Sequence, residues 1–225
     1  SLQNNKKFID LRPLIKLDSM KATMKTLSAI LICCFISTIQ MYGENIQRPE
    51  SENYVKGVEA LNEGNPEAAY TYLNAEINEH PDNGYAHCYM ALICNFCNDT
   101  KLALQALNSS LELIPEADTE YRSFAHYSRG VLLSNLKMWE RAEADLNEAI
   151  RLNPEDVENY KSRAQLYFET ERYEESLDDL TRALKLDSKA DVNDLMLQLM
   201  AVAPTSEFME RITATYQQLD QVTIH

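Results

Sequence analysis

The chain has 225 residues, carries 35 acidic against 21 basic side chains for a formal net charge of −14, and contains only five glycines. That charge argues against nucleic acid as a partner, because a phosphate backbone is held by clustered lysine and arginine. The scarcity of glycine, beside plentiful alanine, leucine and glutamate, argues against a sheet protein with many tight turns and predicts an all-α chain long enough for one or two cores.

The first 43 residues differ from the rest. Lys21 and Lys25 precede an uncharged apolar run, "LSAILICCFISTI", of 13 residues from Leu27 to Ile39. A spanning helix needs roughly 20 apolar residues, so the run reads as the hydrophobic region of a secretory signal at about 20–43. Met20 or Met24 would each start a signal of ordinary length, and residues 1–19 are read as lying outside the natural product. Gly43 is small, but Met41 is not the small residue a cleavage site wants two positions earlier. Cys33 and Cys34 follow Ile32 and Cys33 where a lipid-attachment cysteine would follow glycine or alanine, so the mode of release or anchoring stays open. The expectation is export to the periplasm or cell envelope, with no membrane span in the mature part. The segment holds six basic residues (Lys6, Lys7, Arg12, Lys16, Lys21, Lys25) and two acidic ones (Asp10, Asp18), so the remainder is left with 15 against 33, a net charge near −18. Such a surface repels anionic lipid and favours basic or neutral partners; equally, it keeps an exposed helical array soluble.

From residue 50 a pattern recurs. Within "WERAEADLNEAIRLNPEDVENY", Ala142, Leu146, Ala149 and Ile150 fall on one helical face. Leu146 has counterparts at Leu73, Leu107 and Leu180, and Ala142 at Ala69, Ala103 and Ser176. Pro154 matches Pro81 and Pro115, with Ser188 at the fourth place. A second small-residue series runs through Gly57, Ala91, Gly130 and Ala164, at steps of 34, 39 and 34 residues. Four copies of one helix-turn-helix unit follow, at about 50–83, 84–117, 123–156 and 157–190, with five extra residues near "EADTEYR" between the second and third. The helix from Glu140 to Leu152 should pack on a partner from about Ser123 to Leu136 and on the next unit.

This pattern resembles the tetratricopeptide repeat family, whose 34-residue signature of small, aromatic and apolar residues ends in proline. The resemblance is carried by "NEGNPEAAYTYLNAEINEHPDN", "LKMWERAEADLNEAIRLNPED" and "ETERYEESLDDLTRALKLDS", and is weaker in "CNFCNDTKLALQALNSSLELIPEAD", where Ser110 replaces the usual alanine. It implies a right-handed α-solenoid of antiparallel helix pairs whose units bury their apolar faces on one another around a concave inner face. After Ser188, "ADVNDLMLQLMAVA" and "EFMERITATYQQLDQV", separated by Pro204, Thr205 and Ser206, predict a helical hairpin over 191–225, either a cap or a degenerate fifth repeat.

No chemistry is evident. Cys88, Cys94 and Cys97 with His87 give a Cys-x-x-Cys spacing, but a structural zinc site needs four ligands and a redox pair sits at a helix start. Cys94 reads as an apolar filler, with a disulfide from Cys94 or Cys88 to Cys97 as the oxidised alternative. His80, His87 and His126 fall at turns or faces without an evident nucleophile and orienting carboxylate. No catalytic residue, metal or cofactor is expected.

Binding remains. The family's ligands lie along the inner face of each unit's first helix, and alignment places Tyr54, Val58, Tyr85, Cys88, Leu92, Asn95, Tyr127, Val131, Ser134, Lys161, Gln165 and Phe168 there. Tyr54, Tyr85, Asn95, Tyr127, Ser134, Lys161, Gln165 and Phe168 are the candidate partner-binding set, suited to an extended peptide or protein segment. Where family members gripping a chaperone's terminal carboxylates carry lysine, arginine and asparagine, this chain has Tyr54, Val58, Tyr89, Phe124 and Ser128, which argues against that role. The expected function is a non-catalytic adaptor of the bacterial envelope, with self-association open. Two alternatives stand beside it: a docking module of a larger envelope enzyme or transport component, and a metal or redox module around "CNFC".

Overall fold

The computed structural model describes residues 46–203 and 205–222, with side chains as far as 215; the signal-like run lies outside these residues. The described residues form helices joined by short turns. α1 (Glu52–Asn62) and α2 (Pro66–Glu79), α3 (Gly84–Phe96) and α4 (Thr100–Leu113), α5 (Thr119–Asn135) and α6 (Trp139–Leu152), α7 (Val157–Glu169) and α8 (Tyr173–Leu186), and α9 (Asn193–Val202) and α10 (Ser206–Val222) follow one another. The chain divides into two compact units at Ala117 and Asp118, so α1–α4 belong to the first and α5–α10 to the second.

Each pair is an antiparallel hairpin, and the sequence shows why. Pro66 occupies the first turn of α2, where a missing N–H costs nothing, and Asn65 caps it by accepting from the Ala68 amide at 3.1 Å. Asn83, Asp99, Asp118 and Asp156 cap α3, α4, α5 and α7 through their side-chain oxygens. The turn inside each of the first four hairpins places one residue in the left-handed region, at Gly64 (φ 71°), Asn98 (58°), Lys137 (58°) and Glu171 (61°). The residue after it then donates back to a carbonyl five positions earlier: Asn65 to Ala60, Asp99 to Cys94, Met138 to Leu133 and Arg172 to Tyr167, at 2.7–2.9 Å. That is the bond of a Schellman helix ending, so all four turns are built alike.

Close packing within hairpins rests on the small-residue series. A methyl group at Gly57 would stand 2.7 Å from the Leu73 side chain, and one at Gly130 2.8 Å from that of Leu146. Ala69, Ala103 and Ala142 are fully buried between helices. Within the units α2 packs on α3 and α6 on α7, the stacking of an α-solenoid. The partner of α6 starts earlier than the spacing predicts: α5 runs to 17 residues, against 13 for α3 and α7, so most of the extra sequence is absorbed as one additional helical turn behind the Asp118 cap.

In the second unit α9 and α10 close the last repeat. Leu195, Met196, Leu199, Phe208 and Ile212 join Leu177, Leu180, Ala183 and Leu184 in one core cluster. Thr205 caps α10 by accepting from the Phe208 amide at 3.1 Å, and Arg211 ties α10 to Glu174 and Asp178 of α8.

Candidate functional site

In the first unit the predicted binding residues separate into two kinds. Tyr54 and Tyr85 are core residues, 7% and 4% exposed, and the Tyr54 ring meets that of Tyr89 at 6.1 Å. An aromatic ring at helical spacing fills the space between neighbouring hairpins before it serves a ligand. Asn95, near the end of α3, is exposed. Cys88, Cys94 and Cys97 are free thiols. Burial pushes Cys88 and Cys94 up to about 12, so both are protonated, weakly reactive side chains; burial likewise raises Cys97. Among the described residues no group of three or more His, Cys, Asp or Glu could hold a metal ion.

In the second unit Tyr127 is half-buried on α5, with its ring 6.4 Å from Phe124. Burial raises its hydroxyl to about 12, against the opposing effect of a hydrogen bond with Ser162 of α7. Phe168 packs on Tyr173 at 5.7 Å and against the core cluster, so its ring is largely committed to packing. Ser134 is half-buried at the end of α5. Lys161 and Gln165 stand one turn apart on α7 and line a cleft of about 190 Å³. Its other walls are Leu180 of α8, Asp191 and Val192 of the connecting segment, and Asp194, Leu195 and Gln198 of α9. The Lys161 ammonium is 2.8 Å from Glu158, and Gln165 donates to Glu169 at 3.0 Å. Two predicted residues thus come together, with a wall from the hairpin that repeat reasoning treated only as a cap or degenerate repeat. The missing signal was available: counting α9 as the first helix of a fifth unit places Leu195 at the register of Lys161, one 34-residue step on.

A second constellation escaped the sequence reading. Arg129 forks onto Asp145 at 2.7 and 2.8 Å, and Arg163 onto Asp179 at 2.7 Å through both nitrogens. The pairs are 34 residues apart and both carboxylates are buried. The same register holds Lys56 above the Tyr72 ring at 5.8 Å in the first repeat and Met90 with Ala106 in the second. His126 adds a bond to Asp145 at 2.9 Å, so this histidine does have a carboxylate beside it, contrary to the expectation. Burial pushes the Asp145 carboxyl up, but Arg129 and His126 together outweigh it and hold the group below its ordinary value. For Asp179 burial prevails over Arg163 alone, and the carboxyl lies above its ordinary value. These are packing ion pairs between the two helices of one hairpin.

Comparison with known proteins identifies the third and fourth hairpins. The tetratricopeptide repeat profile matches residues 123–156, and a second tetratricopeptide repeat profile matches residues 158–189. Residues 123–156 and 158–189 of this chain are tetratricopeptide repeats. The chain is similar to a Lipoprotein NlpI homolog of Haemophilus influenzae, 31% identical over 87 residues that make up 39% of this chain and 28% of that protein. It is also similar to human Tetratricopeptide repeat protein 6, 24% identical over 143 residues, 64% of this chain and 26% of that one. The chain therefore spans little more than a quarter of either relative. Among solved structures, MamA residues 41 to the end from Desulfovibrio magneticus RS-1 superposes with a TM-score of 0.60 at 19% identity, over 76% of this chain and 94% of that one. A crystal structure of MamA gives 0.59 at 13% identity, over 75% and 97%. These structural likenesses bear on the fold alone.

Within the tetratricopeptide frame, the positions where a carboxylate-gripping member carries cations are here closed or uncharged. Tyr54 and Tyr89 are buried against each other, and Val58, Phe124 and Ser128 are only half-accessible. No helix among the described residues is long and apolar enough to cross a membrane.

Proposed function

We propose that this tetratricopeptide protein is a non-catalytic interaction scaffold of the bacterial cell envelope that holds an extended peptide or protein segment on the inner faces of its repeats. The observation that carries the reading is the cleft beside α7, where Lys161 and Gln165 present polar heads above an apolar floor of Leu180, Val192 and Leu195. Concave sites with a few polar groups over apolar walls are the usual form of a recognition pocket. Asn95 and Ser134 extend the candidate surface within their own units, whereas Tyr54 and Tyr85 support it from the core. Export is supported by the apolar run Leu27–Ile39 behind Lys21 and Lys25 and by the likeness to a protein named a lipoprotein. Self-association through the repeats is a further arrangement of the same surfaces.

The test is a crosslinking pulldown from envelope extracts with the chain and with a Lys161→Ala, Gln165→Ala variant, after far-UV circular dichroism has established equal helicity. Partners captured by the first and lost by the second support the reading. Identical capture by both removes the inner face of the second unit from consideration.

A second reading is favoured by the coverage of the relatives: this chain corresponds to little more than a quarter of each. Here the repeats are the docking module of a larger envelope enzyme or transport component. The full reading frame decides, since a catalytic or transport domain in the same frame would establish the module and a stop codon after His225 would remove this reading in its single-chain form.

A further inference from the structure

The cleft of the second unit has an electrostatic character that the repeat signature does not prescribe. Four of its polar residues are Asp191, Asp194, Gln165 and Gln198, and the fifth, Lys161, is ion-paired with Glu158 at 2.8 Å. Asp191, Asp194 and Gln198 are exposed and make no side-chain hydrogen bond or ion pair among the described residues. Asp187, just upstream of the cleft, differs: its carboxylate accepts from the Lys189 amide at 2.9 Å. Between the two free carboxylates the floor is apolar, with Val192 and Leu195 almost fully buried. An opening of about 190 Å³ accommodates one or two side chains and no folded element. The whole chain carries a formal net charge of −14, so the long-range field draws cations toward this unit and repels anions.

We infer that the cleft beside α7 selects a basic extended segment, with a lysine or arginine seated between Asp191 and Asp194 and a neighbouring aliphatic side chain on Leu180, Val192 and Leu195. This inference rests on the peptide-scaffold reading above and adds the partner's chemistry to it. The carboxamide of Gln198, and the carbonyl oxygen and second N–H of Gln165 beside its bond to Glu169, are the groups available for the segment's backbone. The carboxylates supply direction and encounter rate, and the apolar floor excludes segments that are merely polycationic.

The test is fluorescence anisotropy of the full chain with two labelled octapeptides, one alternating leucine and lysine and one alternating leucine and glutamate. The lysine peptide is expected to bind with an affinity that weakens as salt is raised, and the glutamate peptide not to bind. An Asp191→Asn, Asp194→Asn variant is expected to lose about tenfold, the loss of two partly screened charge contacts. A control variant, Glu140→Gln, Glu155→Gln, neutralises two exposed carboxylates of the same unit and is expected to lose less than twofold. Equal losses in the two variants would mean diffuse attraction to an acidic surface and overturn the inference, as would absence of binding by the lysine peptide. A peptide alternating leucine and glutamine separates the two levels of the reading. If it binds as well as the lysine peptide and is lost in the Lys161→Ala, Gln165→Ala variant, the scaffold reading stands and the basic selectivity falls.

Discussion

The two units repeat the same hairpin with opposite local chemistry. In the first, the left-handed turn positions are Gly64 and Asn98, residues suited to that conformation; in the second they are Lys137 and Glu171, which are not. In the first, the register that faces its partner helix holds Lys56 over Tyr72 and Met90 beside Ala106; in the second it holds Arg129 with Asp145 and Arg163 with Asp179. The polarity is reversed one turn further along the second helix. Glu76 and Ser110 are buried there in the first unit, and Ala149 and Ala183 in the second. The repeat fixes where two helices meet and how the chain turns between them, while leaving open which contacts are apolar and which are ionic.

The largest test of that difference is at Asp145. Removing one partner of a buried ion pair leaves the other charge uncompensated, so Asp145→Ala should cost about 3 kcal/mol in urea unfolding. A double change to the residues of the second repeat, Arg129→Met with Asp145→Ala, should recover most of it. If the double variant is as unstable as the single one, the units do not share an interchangeable register. The buried carboxylates of the two ion pairs, Asp145 and Asp179, give opposite pH signatures. Asp145 lies below its ordinary value of 3.8 in the folded chain, so its contribution is complete above that value and is lost as pH falls through the lower folded one. Asp179 lies above 3.8, so its contribution is present below that value and lost as pH rises through the raised one. The gap between the wild type and Asp145→Asn should therefore close below about pH 4, and Asp179→Asn should be the milder substitution at pH 7.

Next in size is Gly84, whose added methyl group would stand 2.8 Å from the Ile114 amide nitrogen and 2.9 Å from the Leu113 side chain. Gly84→Ala should cost about 2 kcal/mol by overpacking, although Ser123 and Val157 hold the same register in the second unit. A neutral result would show that α3 and α4 can part without loss. A smaller effect of the opposite sign is expected at Glu76, 1% exposed, where one carboxylate oxygen accepts from Asn83 at 2.8 Å and the other has no hydrogen-bond partner among the described residues. Glu76→Gln keeps the acceptor and removes a buried charge, and should raise stability by about 1 kcal/mol in the same measurement. The smallest change, a gain of about 0.5–1 kcal/mol, is expected for Lys137→Gly or Glu171→Gly, because glycine relieves the left-handed strain. Gly64→Ala should lose a similar amount, and the three melting curves together test whether the turns are equivalent.

What could be read from the sequence follows from the same division. Helix positions were legible because small residues at Ala69, Ala103, Ala142 and Ser176 recur with a fixed step, and only close helix approach requires them. The additional turn of α5 was not, since Thr119 to Arg122 can equally form a loop or continue a helix. Alignment with the family's inner-face helix points Tyr54 and Tyr85 toward a ligand, but it cannot tell which tyrosines pack between hairpins, and both are buried. Glu76 was invisible from its own helix, where a carboxylate ordinarily faces water. Only its register with Ser110, Ala149 and Ala183 shows that it points inward. The cleft was half legible: Lys161 and Gln165 follow from the repeat, whereas Asp191, Asp194 and Gln198 come from a segment outside the repeat signature.

The single tryptophan of the chain, Trp139, opens α6 in the second unit, and the first unit has none. Its emission reports on one half of the protein, while backbone circular dichroism averages both. Repeat arrays lose cooperativity when the interface between neighbours is weaker than the repeats themselves. A fluorescence midpoint that departs from the circular dichroism midpoint would thus measure, without any added label, how independently the half bearing Trp139 melts from the half without it.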